Sequence, residues 1–89
     1  MELKANNVVQ LRNGIFGVVS SFKGNPFQII FKSYTSPVDK YDENFKHKNS
    51  TYDIVAVFDG STIDNPKKVF STKFTTDGLE QTYQREEDE

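Results

Sequence analysis

Val8-Val-Gln-Leu-Arg-Asn-Gly-Ile-Phe-Gly-Val-Val19 reads as two short strands joined at Asn13-Gly14. Asn-Gly supplies positive φ at both central positions of a two-residue hairpin turn at least cost. That turn sets Arg12 opposite Ile15, Leu11 opposite Phe16 and Val9 opposite Val18. Side chains alternate between the faces of a strand. Val9, Leu11, Phe16 and Val18 then share one apolar face, and Val8, Gln10, Arg12, Ile15, Gly17 and Val19 make a mixed one. The stretch predicts a small, mainly β domain.

Working outward, strand one spans about Val8–Arg12 and strand two Ile15–Phe22. Lys23-Gly-Asn-Pro26 is a turn, with Pro26 presetting its own φ. Phe27-Gln-Ile-Ile-Phe-Lys-Ser-Tyr34 alternates as a half-buried third strand. Thr35–Ser50 is a long polar excursion, the kind of loop on which function commonly sits. Within it Tyr41 and Phe45 are four apart and fit one face of a helical turn. Tyr52–Phe58 is the most continuously apolar run, hence a central fourth strand ended by Asp59-Gly60. Ser61–Lys68 is a loop with Asn65-Pro66 as its turn signal. Val69–Phe74 predicts a fifth strand. Asp77-Gly-Leu-Glu80 resembles a capping box opening a short helix over about Gly78–Arg85, with Leu79 and Tyr83 on one face.

Composition narrows the class. Eighty-nine residues make one domain. Only 35 % of the chain is hydrophobic, yet it holds eight Phe and four Tyr, so the core leans on Phe and β-branched residues. A core this modest often gains from self-association, and a homo-oligomer is an expectation. Cysteine is absent, which excludes disulfides and thiolate chemistry. No apolar run approaches the ~20 residues of a membrane helix, and the first residues lack the basic-then-apolar layout of a signal peptide. A cytoplasmic protein is expected. The formal charge of −2 is uneven: Arg85–Glu89 contributes −3, leaving the body at +1. Residues 86–89 read as a solvated acidic tail on a domain of residues 1–85.

Few catalytic groups are on offer. The single histidine, His47, lies between Lys46 and Lys48 in a polar loop, with no sign of the third group that orients a catalytic imidazole. Zinc needs several Cys or His ligands. Asp39, Asp42 and Glu43 lack the central Gly and bidentate Glu of a calcium loop. Gly14-x-x-Gly17 has no Lys-Ser/Thr at the spacing of a phosphate-cradling loop. The expectation is no enzyme, no metal and no cofactor. Binding has better support. Arg12, Lys32, Lys46, His47 and Lys48 interleave with Tyr34 and Tyr41, the cation-plus-aromatic mixture that holds nucleotides and single strands. The bland alternative for Tyr41 and Phe45 is that they pin the loop to the core. Against nucleic acid stand dispersed lysines and an isoelectric point near 5.3.

Val9-x-Leu-x-x-Gly14-x-x-Gly17-x-Val19 is similar to the start of a KOW-type or SH3-like barrel. The resemblance implies a five-stranded antiparallel SH3-like barrel with a long loop after strand three and a short C-terminal helix. Val8–Gly14, Tyr41-Asp-Glu-Asn-Phe-Lys-His-Lys48 and Tyr52–Phe58 together resemble a family of small, mostly uncharacterised proteins of phages and prophages of Gram-positive bacteria. That family shares a V-x-L-R-N-G hairpin, a Y-D-E-x-L-x-H-K-like loop and a Y-D-I-V-x-V-Y strand. Phe45 and Phe58 stand where it has Leu and Tyr, and Tyr83 stands for Trp in a closing L-W-x-R. The resemblance implies a non-catalytic accessory protein in the host cytoplasm that counters host defence or regulation by stoichiometric binding. The favoured version sequesters a signalling nucleotide through Arg12, Lys32, Tyr34, Tyr41, Lys46, His47 and Lys48. The alternatives are an inhibitor of a host protein, a KOW-like nucleic-acid module and a virion component.

Overall fold

A computed structural model of the chain describes residues 3–20 and 28–85. The Lys23–Pro26 turn, the inner ends of strands two and three, and the acidic tail lie outside the described residues. The structure is mainly β. Among the described residues six strands form one antiparallel sheet: β1 (Asn7–Leu11), β2 (Phe16–Ser20), β3 (Gln28–Ile30), β4 (Thr35–Pro37), β5 (Ile54–Asp59) and β6 (Gln81–Gln84). Their order is β4-β3-β2-β1-β5-β6, with β4 and β6 at opposite edges. Among the described residues the sheet is open, with six strands where a five-stranded SH3-like barrel was expected.

The reason is that both faces are covered by other parts of the chain. On one face Val9, Leu11, Val19, Ile29, Phe31, Ile54 and Val57 pack under Phe45, with Val38, Tyr41, Tyr52 and Tyr83 against them. On the other, Val8, Val18, Ala56 and Phe58 pack under Val69, with Ile63, Phe70, Phe74 and Leu79. Each loop segment supplies a second layer, so the sheet buries its apolar surface without curling on itself.

The first hairpin forms one residue out of the expected register. Val8 pairs with Val18, Val9 with Gly17 and Gln10 with Phe16. The Gly14 N–H donates to Leu11 O at 2.8 Å and the Leu11 N–H to Ile15 O at 2.9 Å. Only Gly14 takes positive φ, +88°, so the loop has three residues, Arg12-Asn13-Gly14. A one-residue slip moves side chains to the opposite face. Val18 thus joins Val8 on the second face, with Phe16 packed against that cluster. Gly17 decides the matter: a Cβ there would lie 2.6 Å from the Phe31 ring and 2.9 Å from Ile29.

Three further expectations are corrected. The long third strand stops at Ile30. The Phe31 N–H donates to Tyr34 O at 2.8 Å, the chain reverses at Lys32-Ser33, and Thr35–Pro37 returns as β4. Phe31 and Tyr34 stack across this turn at 4.7 Å. Val69–Phe74 is no strand: Pro66–Phe70 is a 3-10 turn, opened by Pro66 and capped by Asn65, whose Oδ1 accepts from the Lys67 N–H. The C-terminal helix is β6. Gly78, at φ +85°, closes a turn in which the Leu79 N–H donates to Thr76 O. The chain then satisfies the open edge of β5, and Tyr83 sets its ring edge-on to Phe45 at 5.0 Å. Leu79 and Tyr83 therefore serve opposite faces of the sheet. The fourth expected strand holds as β5, an interior strand between β1 and β6. It carries a bulge at Val55 that keeps Ile54 and Val57 on one face.

Candidate functional site

The excursion between β4 and β5 builds a cleft, and short-range hydrogen bonds dictate its shape. Pro37 leads into a 3-10 turn, Val38–Lys40, closed by the Tyr41 N–H on Val38 O. Asp42 then organises the reversal: its Oδ1 accepts from Asn44 N–H at 2.8 Å and Lys46 N–H at 3.0 Å. Those bonds, from Lys46 first and then Asn44, hold the Asp42 carboxyl below its ordinary range, with the Lys46 and Arg85 charges adding to the effect. No helical turn forms. Phe45 sits at φ +61° with its ring buried in the core. Asn49 caps a second 3-10 turn, Ser50–Tyr52, by accepting the Thr51 N–H.

Asp53 locks this segment to the first hairpin. The residue is 4 % exposed. Its Oδ1 accepts from the His47 N–H at 2.7 Å and its Oδ2 from Arg12 Nη2 at 3.0 Å. Arg12 also donates through Nε to Ser50 O at 3.0 Å. Burial of the carboxylate is tolerated because both oxygens are engaged.

The cleft has two lobes. Tyr34, Tyr41, Tyr52 and Ser36 line the first, of about 300 Å³. Asp39 and Lys48 line the second, of about 330 Å³. Lys40 and His47 belong to both. The volumes suit a small ligand. The His47 ring lies edge-on to Tyr41 at 5.3 Å and to Tyr52 at 5.4 Å. Burial, then the nearby Tyr34 and Asp53, push the Tyr41 phenol up to about 12. Burial and Tyr52 raise Tyr34 as well. Both phenols stay protonated at neutral pH and can donate hydrogen bonds.

Four of the expected site residues come together here: Tyr34, Tyr41, His47 and Lys48. Three do not. Arg12 is committed to Asp53 and Ser50. Lys46 is exposed beside Asp42 and lines neither lobe. Lys32 lines a neighbouring groove of about 270 Å³ with Ile15, Phe16, Phe31, Val69 and Phe70, which shares Tyr34 with the first lobe. Sequence reasoning missed Lys40 and Tyr52. Tyr52 heads the apolar run and reads there as strand, although the Asn49 cap before it is a visible turn signal. Among the described residues no group of three or more His, Asp or Glu is placed to hold a metal ion. No described helix is long and apolar enough to cross a membrane. Comparison with known proteins finds no matching family model, curated protein or solved structure.

Proposed function

We propose that the protein is a stoichiometric binding protein whose two-lobed cleft holds a nucleotide and leaves it chemically intact. The observation that carries this is the meeting of phenols and lysines in adjoining lobes that share Lys40 and His47. Three phenols line the first lobe, with the exposed Tyr34 ring as the platform for a base, and Lys40 and Lys48 offer cations to phosphate beside the Asp39 carboxylate. Phe31 backs Tyr34 and stiffens it, while Tyr34 is itself 41 % exposed. A pre-ordered ring costs little to use as a stacking platform. The resemblance to phage accessory proteins supports the same reading and supplies its context: removal of a host signalling nucleotide in the cytoplasm. Association of copies would add a wall to an open cleft, and light scattering reads that directly.

The test is calorimetric titration with a panel of mono-, cyclic and dinucleotides. The reading requires saturable binding by at least one of them. Tyr34→Ala and Lys40→Ala should each weaken it, and Lys32→Ala should leave it unchanged.

A second reading is an inhibitor of a host protein. It draws on the groove beside Tyr34, where Ile15 is 42 % exposed among Phe16, Phe31 and Phe70. An exposed apolar side chain set among partly buried rings is common at interfaces. Ile15→Asp should then abolish host-protein capture while nucleotide binding is unaffected.

A further inference from the structure

His47 forms the wall shared by the two lobes. Tyr41 and Tyr52 grip its ring edge-on from two elements. Its Nδ1 accepts the backbone N–H of Asn49 at 3.0 Å. A ring nitrogen that accepts a hydrogen bond carries no proton, so the neutral imidazole carries its proton on Nε2. We propose that His47 is the specificity-determining donor of the cleft: a neutral imidazole, locked in the Nε2–H tautomer by Asn49, that gives one hydrogen bond to an acceptor atom of the ligand. The ligand's identity rests on the nucleotide reading. The tautomer lock belongs to the chain alone.

The lock has a consequence opposite to simple charge attraction. Protonation puts a second N–H on Nδ1, facing the Asn49 N–H, and two donors cannot bond. Asn49 caps the turn that leads to Asp53, so its displacement loosens the wall of the cleft. The groups around the ring are Lys40 and Asp39 from the first 3-10 turn, Tyr34 from the β3–β4 hairpin, Tyr41, Tyr52 and the neighbouring lysines of its own loop. Behind it, the Asp53 carboxylate holds the His47 backbone N–H and the Arg12 guanidinium. An extra positive charge on His47 would by itself strengthen binding of an anion. The lock predicts that acid weakens it.

Two measurements decide the matter. In the ligand-free protein, ¹⁵N resonances of His47 should report Nε2–H, and the Asn49 amide should shift in step with protonation of the ring. A ring protonated on Nδ1, or an Asn49 amide indifferent to that step, overturns the proposal. The second measurement titrates cyclic AMP above and below the pH at which the ¹⁵N resonances show the His47 ring gaining its second proton. This probe keeps a single phosphodiester charge at both. Binding should be weaker in acid. His47→Asn places an amide oxygen where Nδ1 sits, keeps the Asn49 bond and leaves no donor at the Nε2 position. It should bind about fivefold more weakly, the scale of one hydrogen bond, and lose the pH dependence. Tighter binding of cyclic AMP in acid overturns the donor role. If no nucleotide binds while the free ring is Nε2–H, the nucleotide reading falls and the locked tautomer stands.

Discussion

The carboxylate of Asp53 accepts the backbone N–H of His47 at 2.7 Å, so the wall between the two lobes hangs from a buried charge six residues further along the chain. The other oxygen of that carboxylate holds Arg12 from the first hairpin. One side chain thereby ties the excursion to the sheet, and the geometry of the cleft depends on it.

Replacement of Asp53 by Ala should therefore be felt twice. It strands the His47 N–H and leaves Arg12 without its carboxylate. Arg12 is 40 % exposed and recovers water on its side, so the loss is about 1–3 kcal/mol rather than the larger cost of a fully buried pair. Urea denaturation reads the stability. The Asn49 and Thr51 amides, which report the cap, should exchange faster.

Gly17 sets the register of the hairpin, and its substitution tests that. A Cβ at this position runs into the Phe31 ring, whose stacking on Tyr34 leaves it little room to move. Gly17→Ala should destabilise the protein by about 1–3 kcal/mol. Phe31→Leu in the same chain should recover part of that loss. Additive effects in the double variant would place the clash elsewhere.

Phe45 is held in the left-handed region while its ring fills the core. Phe45→Ala should cost about 3–5 kcal/mol through the lost burial. Glycine ordinarily does worse than alanine. Here it relieves about 1–2 kcal/mol of backbone strain, so Phe45→Gly should be no less stable than Phe45→Ala.

Tyr41 gives the alkaline behaviour its sign. Its phenol holds a proton up to about 12 when folded, whereas an unfolded tyrosine releases it near 10. Between those values the folded state binds more protons, so stability falls as pH rises through that window. Phenolate absorbance should show one tyrosine titrating last. Tyr41→Phe should remove that step and flatten the alkaline loss.

The parts of the fold that were legible in the chain are those with a single dominant local signal. β5 followed from an apolar run, and the first hairpin from its Asn-Gly tip. The register of that hairpin did not follow, because apolar residues on both faces leave the pattern degenerate. The constraint came instead from Gly17 against Phe31, a contact between β2 and the residue that follows β3. Val69–Phe74 is β-rich in composition, yet Asn65-Pro66 nucleates a 3-10 turn that takes in Val69 and Phe70, and the chain turns again before Phe74. Asp77-Gly78 carries two signals, helix cap and tight turn, and the open edge of β5 selects the turn. In the candidate site, the loop composition brought Tyr34, Tyr41, His47 and Lys48 into view. Arg12 lies outside the lining of the cleft because Asp53, forty-one residues away in sequence, holds it, and nothing local announces that pair.

A nucleotide bound without alteration in the Tyr34–Tyr41–Tyr52 cleft should be recoverable intact. The most direct measurement incubates the protein with a nucleotide that binds, removes free ligand, denatures the protein by heat and identifies what is released by mass spectrometry. The account predicts intact nucleotide, in fixed proportion to protein, with none retained when Tyr34 and Lys40 are both replaced by Ala. Release of a chemically changed product, accumulating beyond one equivalent per site, would contradict it.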